Sequence, residues 1–288
     1  MGRDAAALTP SVFRPDPVFS HLLNIARDAA IRAGQAVMDV YGQDFEVFRK
    51  ADASPVTIAD EHAEAIIVEA LTQAAPGIPI IAEEHAARNG LPQSAPPRFW
   101  LVDPIDGTKE FIARNGEFTV NIALIENGIP VLGIIHVPVT LDTYIGAGPG
   151  AAWHEGREDS NRNPLSARAV PDDGIVVLHS RSHANHKVMD GFLSKVAVAS
   201  RRICGSSIKF CFLAEGAGDL YPRFGPTMEW DTAAGQAILE SAGGAVTTLD
   251  GARLLYGKPG FLNPHFLARG IMSGPFPPPS PESLSPAP

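Results

Sequence analysis

Two aspartates three positions apart close an apolar run, Trp100-Leu101-Val102-Asp103-Pro104-Ile105-Asp106-Gly107-Thr108, and this segment constrains the chain more than any other. Trp100 to Val102 reads as a buried strand. Pro104 biases Asp103 away from helical backbone, so Asp103 is expected at the strand end with the chain turning after it. Such a turn can bring Asp103 and Asp106 to one point with the Ile105 carbonyl between them. Hard divalent cations such as Mg²⁺ take all-oxygen clusters of this kind. Gly107 lets backbone approach a ligand closely. Thr108 falls where a helix is expected to start, with free N–H groups suited to a phosphate. A plain strand followed by an Asx turn and a helix cap fits the same residues.

The 288 residues allow one large domain or two fused ones, and a hydrophobic fraction of 45% supplies a core. Net charge is −9 with no Lys/Arg-rich run, which argues against a nucleic-acid polymer as partner but leaves room for a small phosphorylated ligand held by local cations. Cys204 and Cys211, seven apart in an expected helix, form no disulfide framework and read as buried small hydrophobes. That usage suits a reducing cytoplasm. No secretory signal is expected at the N-terminus, and no apolar run approaches the ~18 residues of a membrane span.

Residues 1–17 read as a loose leader and 273–288 as a Pro/Ser-rich disordered tail. Between them the reading is an N-terminal half, 18–158, and a C-terminal half, 159–272. Apolar spacing predicts helices over Val18 to Tyr41, from Thr57 through Leu71, near Asn185 to Leu193, from Ser206 into Ala214, and from Asp231 to Ser241. Strands are expected at Ile78 to Ile81 and Ile175 to Leu178. Asn127-Gly128 between two further apolar runs, Phe118 to Glu126 and Ile129 to Val137, predicts a hairpin, because both turn positions need positive φ.

Other acidic and cationic groups stand in suggestive places. Glu83 follows a short apolar strand beside Glu84, where a solvated face is the ordinary outcome. Asp231, in Trp230-Asp231-Thr232-Ala233-Ala234-Gly235, also fits a helix N-cap. Asp60 lies in the first turn of its helix, where an acid suits the dipole whatever its role. Gly205-Ser206-Ser207-Ile208-Lys209 reads as a helix start whose hydroxyls, N–H groups and Lys209 can hold a phosphate, or as a simple cap. Arg223, after Tyr221-Pro222, supplies a second cation. His183, in Ser180-Arg181-Ser182-His183, is a candidate base or ribose contact or a surface histidine. The nine histidines show no zinc spacing.

Asp103-Pro104-Ile105-Asp106-Gly107-Thr108-Lys109-Glu110-Phe111, followed by Asn115-Gly116-Glu117-Phe118-Thr119-Val120-Asn121, resembles the signature of the Mg²⁺-dependent, Li⁺-sensitive phosphomonoesterases of the inositol monophosphatase superfamily. Within it the segment is similar to the bacterial 3′(2′),5′-bisphosphate nucleotidases. The resemblance runs from about Val18 to about Ala268. It implies a layered α-β-α-β-α sandwich and hydrolysis of the 3′-phosphate of adenosine 3′,5′-bisphosphate to AMP, with the sulfated analogue and 2′,5′-bisphosphates as further substrates, in sulfur metabolism. It implies two or three Mg²⁺ ions on Glu83, Asp103, the Ile105 carbonyl, Asp106 and Asp231. Asp60 would accept a hydrogen bond from the Thr108 hydroxyl, which orients the attacking water, and Glu83 would assist as proton acceptor. Substrate contacts would come from Gly107, Thr108, His183, Ser206, Lys209, Arg223 and Asp231. The Gly-Ser-Ser-x-Lys and Tyr-Pro-Arg strings look like a 5′-phosphate pocket that inositol phosphatases usually lack. An inositol or broad sugar phosphatase on the same fold is the nearest alternative. A non-catalytic nucleotide sensor is remote, since all six of Asp60, Glu83, Asp103, Asp106, Thr108 and Asp231 are present. Relatives of this kind are described as peripheral on the inner membrane face, but no amphipathic basic helix here supports that placement.

Overall fold

The computed structural model describes residues 16–50, 54–157, 161–181, 186–194 and 196–272. Residues 1–15 of the expected leader, the whole tail 273–288, and His183 lie outside the described residues.

Helix α1 (Pro17–Tyr41) is set by Asp16, whose carboxylate accepts from the Phe19 N–H at 2.8 Å, and by Pro17 in its first turn. Its apolar stripe, from Leu22 and Ala26 to Ala33 and Val37, is buried. A short hairpin of β1 (Val47–Arg49) and β2 (Pro55–Thr57) leads into α2 (Ile58–Ala74), which starts where the spacing predicts and is capped by Thr57. β3 (Ile80–Ala82), α3 (Glu83–Asn89), β4 (Arg98–Asp106) and α4 (Thr108–Ile112) follow. The meander β5 (Thr119–Glu126), β6 (Ile129–Val137), β7 (Asp142–Gly146), β8 (Ala152–Glu155) and β9 (Asn163–Pro164) completes a seven-stranded sheet in the order β3-β4-β5-β6-β7-β8-β9. β3 pairs in parallel with β4, and the other neighbours are antiparallel. Asn127 and Gly128 adopt φ of 50° and 79°, forming the expected hairpin.

A second sheet contains β10 (Ile175–Ser180), β11 (Val198–Cys204), β12 (Leu220–Arg223), β13 (Ala245–Thr248) and β14 (Phe266–Arg269), in the order β11-β10-β12-β14-β13. Its helices are α5 (His186–Leu193), α6 (Ile208–Ala214) and α7 (Ala233–Ser241). Strand alternation sorts the core into layers. Trp100, Val102, Ile122 and Ile134 point to one face of the first sheet and pack with α1 and α2. Phe99, Leu101, Ala123 and Ile135 point to the other face and meet α6 and α7 through Phe210, Ala234 and Ile238. Tyr221, Val246 and Phe266 of the second sheet close over the same helices, while Val177 and Leu220 face outward onto α5. The result is the expected α-β-α-β-α sandwich.

Two expectations change. Cys204 ends β11 rather than lying in a helix with Cys211, although both are buried. The helix expected from Asp231 is a 3-10 turn, Glu229–Asp231, followed by α7. Among the described residues no helix is long and apolar enough to cross a membrane.

α7 sits on the first sheet unusually closely. A Cβ on Gly146 would fall 2.5 Å from Ile238 Cα and 2.6 Å from Ala237 O, and one on Gly133 would overlap the Ala234 carbonyl. Gly146→Ala is therefore expected to lift α7 and cost about 2–3 kcal/mol, since backbone cannot yield as a side chain can; denaturant unfolding measures it. His136, buried beneath α1 with Nδ1 2.9 Å from the Thr143 hydroxyl, is held neutral by burial, its pKa lowered to about 4. The unfolded chain thus binds the extra proton first as pH falls below about 6.5. Stability from this site is full above that pH and lost toward pH 4, by about 3 kcal/mol. Thermal unfolding of wild type and His136→Gln across pH 7 to 4 should show the wild type losing ground to the variant.

Candidate active site

In a regular strand, residues three apart point to opposite faces. Asp103 pairs with Asn121 and Asp106 pairs with Thr119, so Pro104 and Ile105 stand opposite Val120 alone. The extra residue is a β-bulge, and it returns Asp106 to the face that Asp103 occupies. The chain therefore loops out and resumes pairing rather than turning away after Asp103, as the sequence had suggested. The Ile105 N–H donates to Asp103 Oδ1 at 3.0 Å, an Asx-type closure of the bulge. Gly107, at φ 94°, then swings the chain into α4. A Cβ there would lie 3.1 Å from the Glu117 carbonyl and 3.3 Å from Ser206 Cβ.

Thr108 opens α4. Its hydroxyl lies 3.4 Å from Asp60 Oδ1 and 3.3 Å from the Ile105 carbonyl. The other oxygen of Asp60 accepts from the Thr57 N–H and hydroxyl, both at 2.8 Å, in a capping box. Asp60 is nearly fully buried, and burial raises its pKa to about 6 despite the Thr57 bonds. Its ionised form costs about 3 kcal/mol at neutral pH.

Glu83 begins α3, directly after β3. Lys50, at the end of the first hairpin strand, donates to Glu83 Oε1 at 2.6 Å and to Glu84 Oε1 at 2.5 Å. Burial opposes the charged ammonium, but the two carboxylates outweigh it and raise the Lys50 pKa. The start of α3 has no side-chain cap of its own, and buried Glu64 of α2 serves instead by accepting from the Glu84 N–H at 2.7 Å. Burial lifts Glu64 and Glu84 to about 7. Sequence reasoning missed Lys50 and Glu64. Glu64 stands four residues after buried Asp60, on the same inner face of α2, but its partner is distant in sequence.

Asp231 ends the 3-10 turn before α7, and its Oδ2 accepts from the Met228 N–H at 3.0 Å. Buried groups anchor this turn. Glu229, with no solvent exposure, accepts from the N–H groups of Gly257 and Lys258 and from Lys258 Nζ at 2.6 Å. Asn263 Nδ2 donates to the Met228 carbonyl at 2.8 Å and to Thr232 Oγ1 at 3.0 Å.

The cationic side differs in detail from expectation. Ser207, not Ser206, precedes α6 as its cap residue, and Ser206 adopts φ 42°. Lys209 is buried, and its ammonium donates to the carbonyls of Cys204, Gly205 and Ser206 at 3.2, 3.0 and 2.5 Å. Those are the three donors an ammonium has. Arg223 donates to the Gly225 and Pro226 carbonyls at 3.2 and 2.7 Å.

These elements enclose one cleft of about 340 Å³. Glu83, Asp103, Ile105, Asp106, Gly107, Thr108, Ser206, Lys209, Arg223 and Asp231 all line it, and Asp60 stands behind Thr108. Asp103 is buried and Asp231 partly so, and their carboxyls rise well above the usual range, first through desolvation and then through the neighbouring carboxylates. Asp106 rises to about 6 by burial, with Lys209 pulling the other way. Among the described residues no three His, Cys, Asp or Glu side chains are drawn close enough to share one ion as they stand. The donor set itself, four carboxylates and a carbonyl in a desolvated cleft with a surplus of negative charge, suits a hard divalent cation.

Residues 19–273 match the inositol monophosphatase family, and the chain belongs to it. Among curated relatives, the 3′(2′),5′-bisphosphate nucleotidase CysQ of Salmonella typhimurium is 46% identical over 240 residues, covering 82% of this chain and 95% of that protein. The structure of CysQ from Bacteroides thetaiotaomicron superimposes with a TM-score of 0.71 at 38% identity, covering 87% of this chain and 97% of the other. An inositol monophosphatase from Zymomonas mobilis gives a TM-score of 0.72 at 26% identity, with 90% and 95% covered.

Asp103→Asn keeps an acceptor for the Ile105 N–H and removes one charge from the repelling cluster. In metal-free buffer at pH 7.5 it is expected to unfold at higher temperature than wild type, by roughly 2 kcal/mol of stability, while losing the stabilisation that a divalent cation gives wild type. Thermal melts with EDTA and with millimolar Mg²⁺ test both halves; a destabilised variant with an intact Mg²⁺ response overturns the assignment.

Proposed function

We propose that the protein is a Mg²⁺-dependent 3′(2′),5′-bisphosphate nucleotidase that hydrolyses adenosine 3′,5′-bisphosphate to AMP and phosphate. The observation that carries this reading is the meeting, in one cleft, of the carboxylate set with Ser206, Lys209 and Arg223 from the opposite half. The named nucleotidase relatives support it. We place the cation-holding residues mainly in 18–158 and substrate choice in 159–272. The sulfated analogue and 2′,5′-bisphosphates share the required chemistry. Free, buried Cys204 and Cys211 support a reducing cytoplasm as its compartment.

Phosphoryl transfer asks the protein mainly for position and charge. Glu83, Asp103, the Ile105 carbonyl, Asp106 and Asp231 would hold two or three Mg²⁺ ions, which neutralise phosphate charge and lower the pKa of water when bound. The Thr108 hydroxyl, donating toward Asp60 Oδ1, leaves a lone pair to accept a hydrogen bond from the attacking water, so that a proton leaving the water can pass to Thr108 Oγ1 as the hydroxyl's own proton passes to Asp60. Asp60 itself is fixed by Thr57, so its Oδ1 is held toward Thr108, and the Ile105 carbonyl is the hydroxyl's other acceptor until it binds a cation. Glu83 stands as a second proton acceptor. Lys209 and Arg223 set positive charge beside Asp106, as their lowering of its pKa records. That charge suits the phosphate that is not cleaved.

Phosphate release from adenosine 3′,5′-bisphosphate and from inositol 1-phosphate, each with Mg²⁺ and with Li⁺ added, tests the reading. Fast, Li⁺-sensitive turnover is expected with the nucleotide, and Thr108→Val should lower its kcat by about 10²-fold, the scale of a lost proton-transfer partner. Preference for inositol 1-phosphate would move the protein to the inositol phosphatases and leave the carboxylate site in place.

A further inference from the structure

Glu117, Thr119 and Asn121 alternate along one segment, so their side chains share a face. It is the face bearing Asp103 and Asp106, through the pairs Asp103–Asn121 and Asp106–Thr119. None of the three carries a part of the reaction above, yet all three reach across to the Gly205–Ser207 turn of the other half. Glu117 Oε2 accepts from the Gly205 N–H at 2.8 Å. The Thr119 and Ser207 hydroxyls meet at 2.8 Å, and Ser207 Oγ lies 2.7 Å from Asn121 Oδ1. Glu117 also pairs with Arg181, just past β10, through Nε at 3.1 Å and Nη2 at 2.9 Å.

The turn is seated tightly as well as bonded. A Cβ on Gly205 would lie 2.7 Å from the Glu117 carbonyl and 2.7 Å from Glu110 Cγ, so the turn rests directly on α4 and on the segment that leads into β5. Ser206 is held at φ 42° between these contacts and the carbonyl grip of Lys209. Stability alone does not account for the polar choice. Thr119, Asn121 and Ser207 are almost completely buried, and the Asn121 amide nitrogen has no hydrogen-bond partner among the described residues. Apolar side chains would fill the same space without an unsatisfied donor.

We propose that Glu117, Thr119 and Asn121 are specificity-determining positioning residues, which fix the Gly205–Ser207 turn so that Ser206 and Lys209 face the carboxylates at the spacing a bisphosphate requires. The inference rests on the nucleotidase reading. Loosening the turn affects recognition of the phosphate that is kept and spares hydrolysis of a substrate that has just one.

The test compares kcat and KM for adenosine 3′,5′-bisphosphate and for inositol 1-phosphate in the full-length protein, with the ratio of their kcat/KM values as readout. Glu117→Ala is expected to raise KM for the bisphosphate about 10-fold, the worth of one charge-assisted bond, with kcat and inositol 1-phosphate turnover changed less than about three-fold. Glu117→Gln, which keeps an acceptor for Gly205, should return the ratio to within about two-fold of wild type. Thr119→Val, nearly isosteric, should lower the ratio in the same direction and serves if Glu117→Ala does not fold. A wild-type preference for the bisphosphate that both variants leave unchanged, or equal losses on the two substrates, overturns this inference alone. A wild type with no preference overturns the nucleotidase reading and this inference with it.

Discussion

Like charges brought together in a desolvated cleft are the constraint on which the rest of this structure depends. Four carboxylates line it, and burial makes the ionised forms of Asp103, Asp106 and Asp231 expensive. Repulsion between neighbours adds to that cost. A fold can tolerate such a cluster if surrounding structure holds it in place independently. Here the bulge at Pro104-Ile105 is closed by the Asp103 carboxylate, Asp60 is fixed by a capping box, α3 is capped from α2 by Glu64, and the Asp231 turn hangs from buried Glu229 and Asn263. Asp60, Asp103 and Asp231 each take part in a bond to nearby backbone N–H groups that does not involve the other acids.

The sandwich brings these pieces together from separated stretches of chain. Asp103 and Asp106 enter from the seven-stranded sheet, Glu83 from the end of β3, and Asp231 from the leading turn of a helix bedded against glycines of that sheet. Lys209 and Arg223 arrive from elements further along the chain, in the first turn of α6 and at the end of β12. Packing of these elements against the first sheet is what sets positive charge opposite the carboxylates in the cleft.

Much of this was legible in the sequence, for identifiable reasons. The Asn127-Gly128 hairpin and the α1 stripe are local patterns, set by φ preference and by a 3.6-residue period. The carboxylates were legible because each stands at the end of an apolar element, where a strand or helix would present it. The bulge was not, because i and i+3 positions give the same string whether the chain turns away or resumes pairing. Lys50 and Glu64 were not, because their partners are 33 and 20 residues distant along the chain. Lys209 was expected as a direct phosphate contact, and no sequence pattern shows that three carbonyls of its own turn would surround it.

That enclosure of Lys209 has a consequence for what the cleft can discriminate. A free ammonium or a guanidinium fork imposes direction on an anion through its N–H vectors. An ammonium whose protons are already committed exerts an attraction that depends on distance and hardly on angle. An anionic group beside it is drawn in whichever way it is rotated, so selectivity there falls to shape and to the placement of the reacting bond. Such a site tolerates positional isomers of one ligand more readily than it tolerates the loss of a charge.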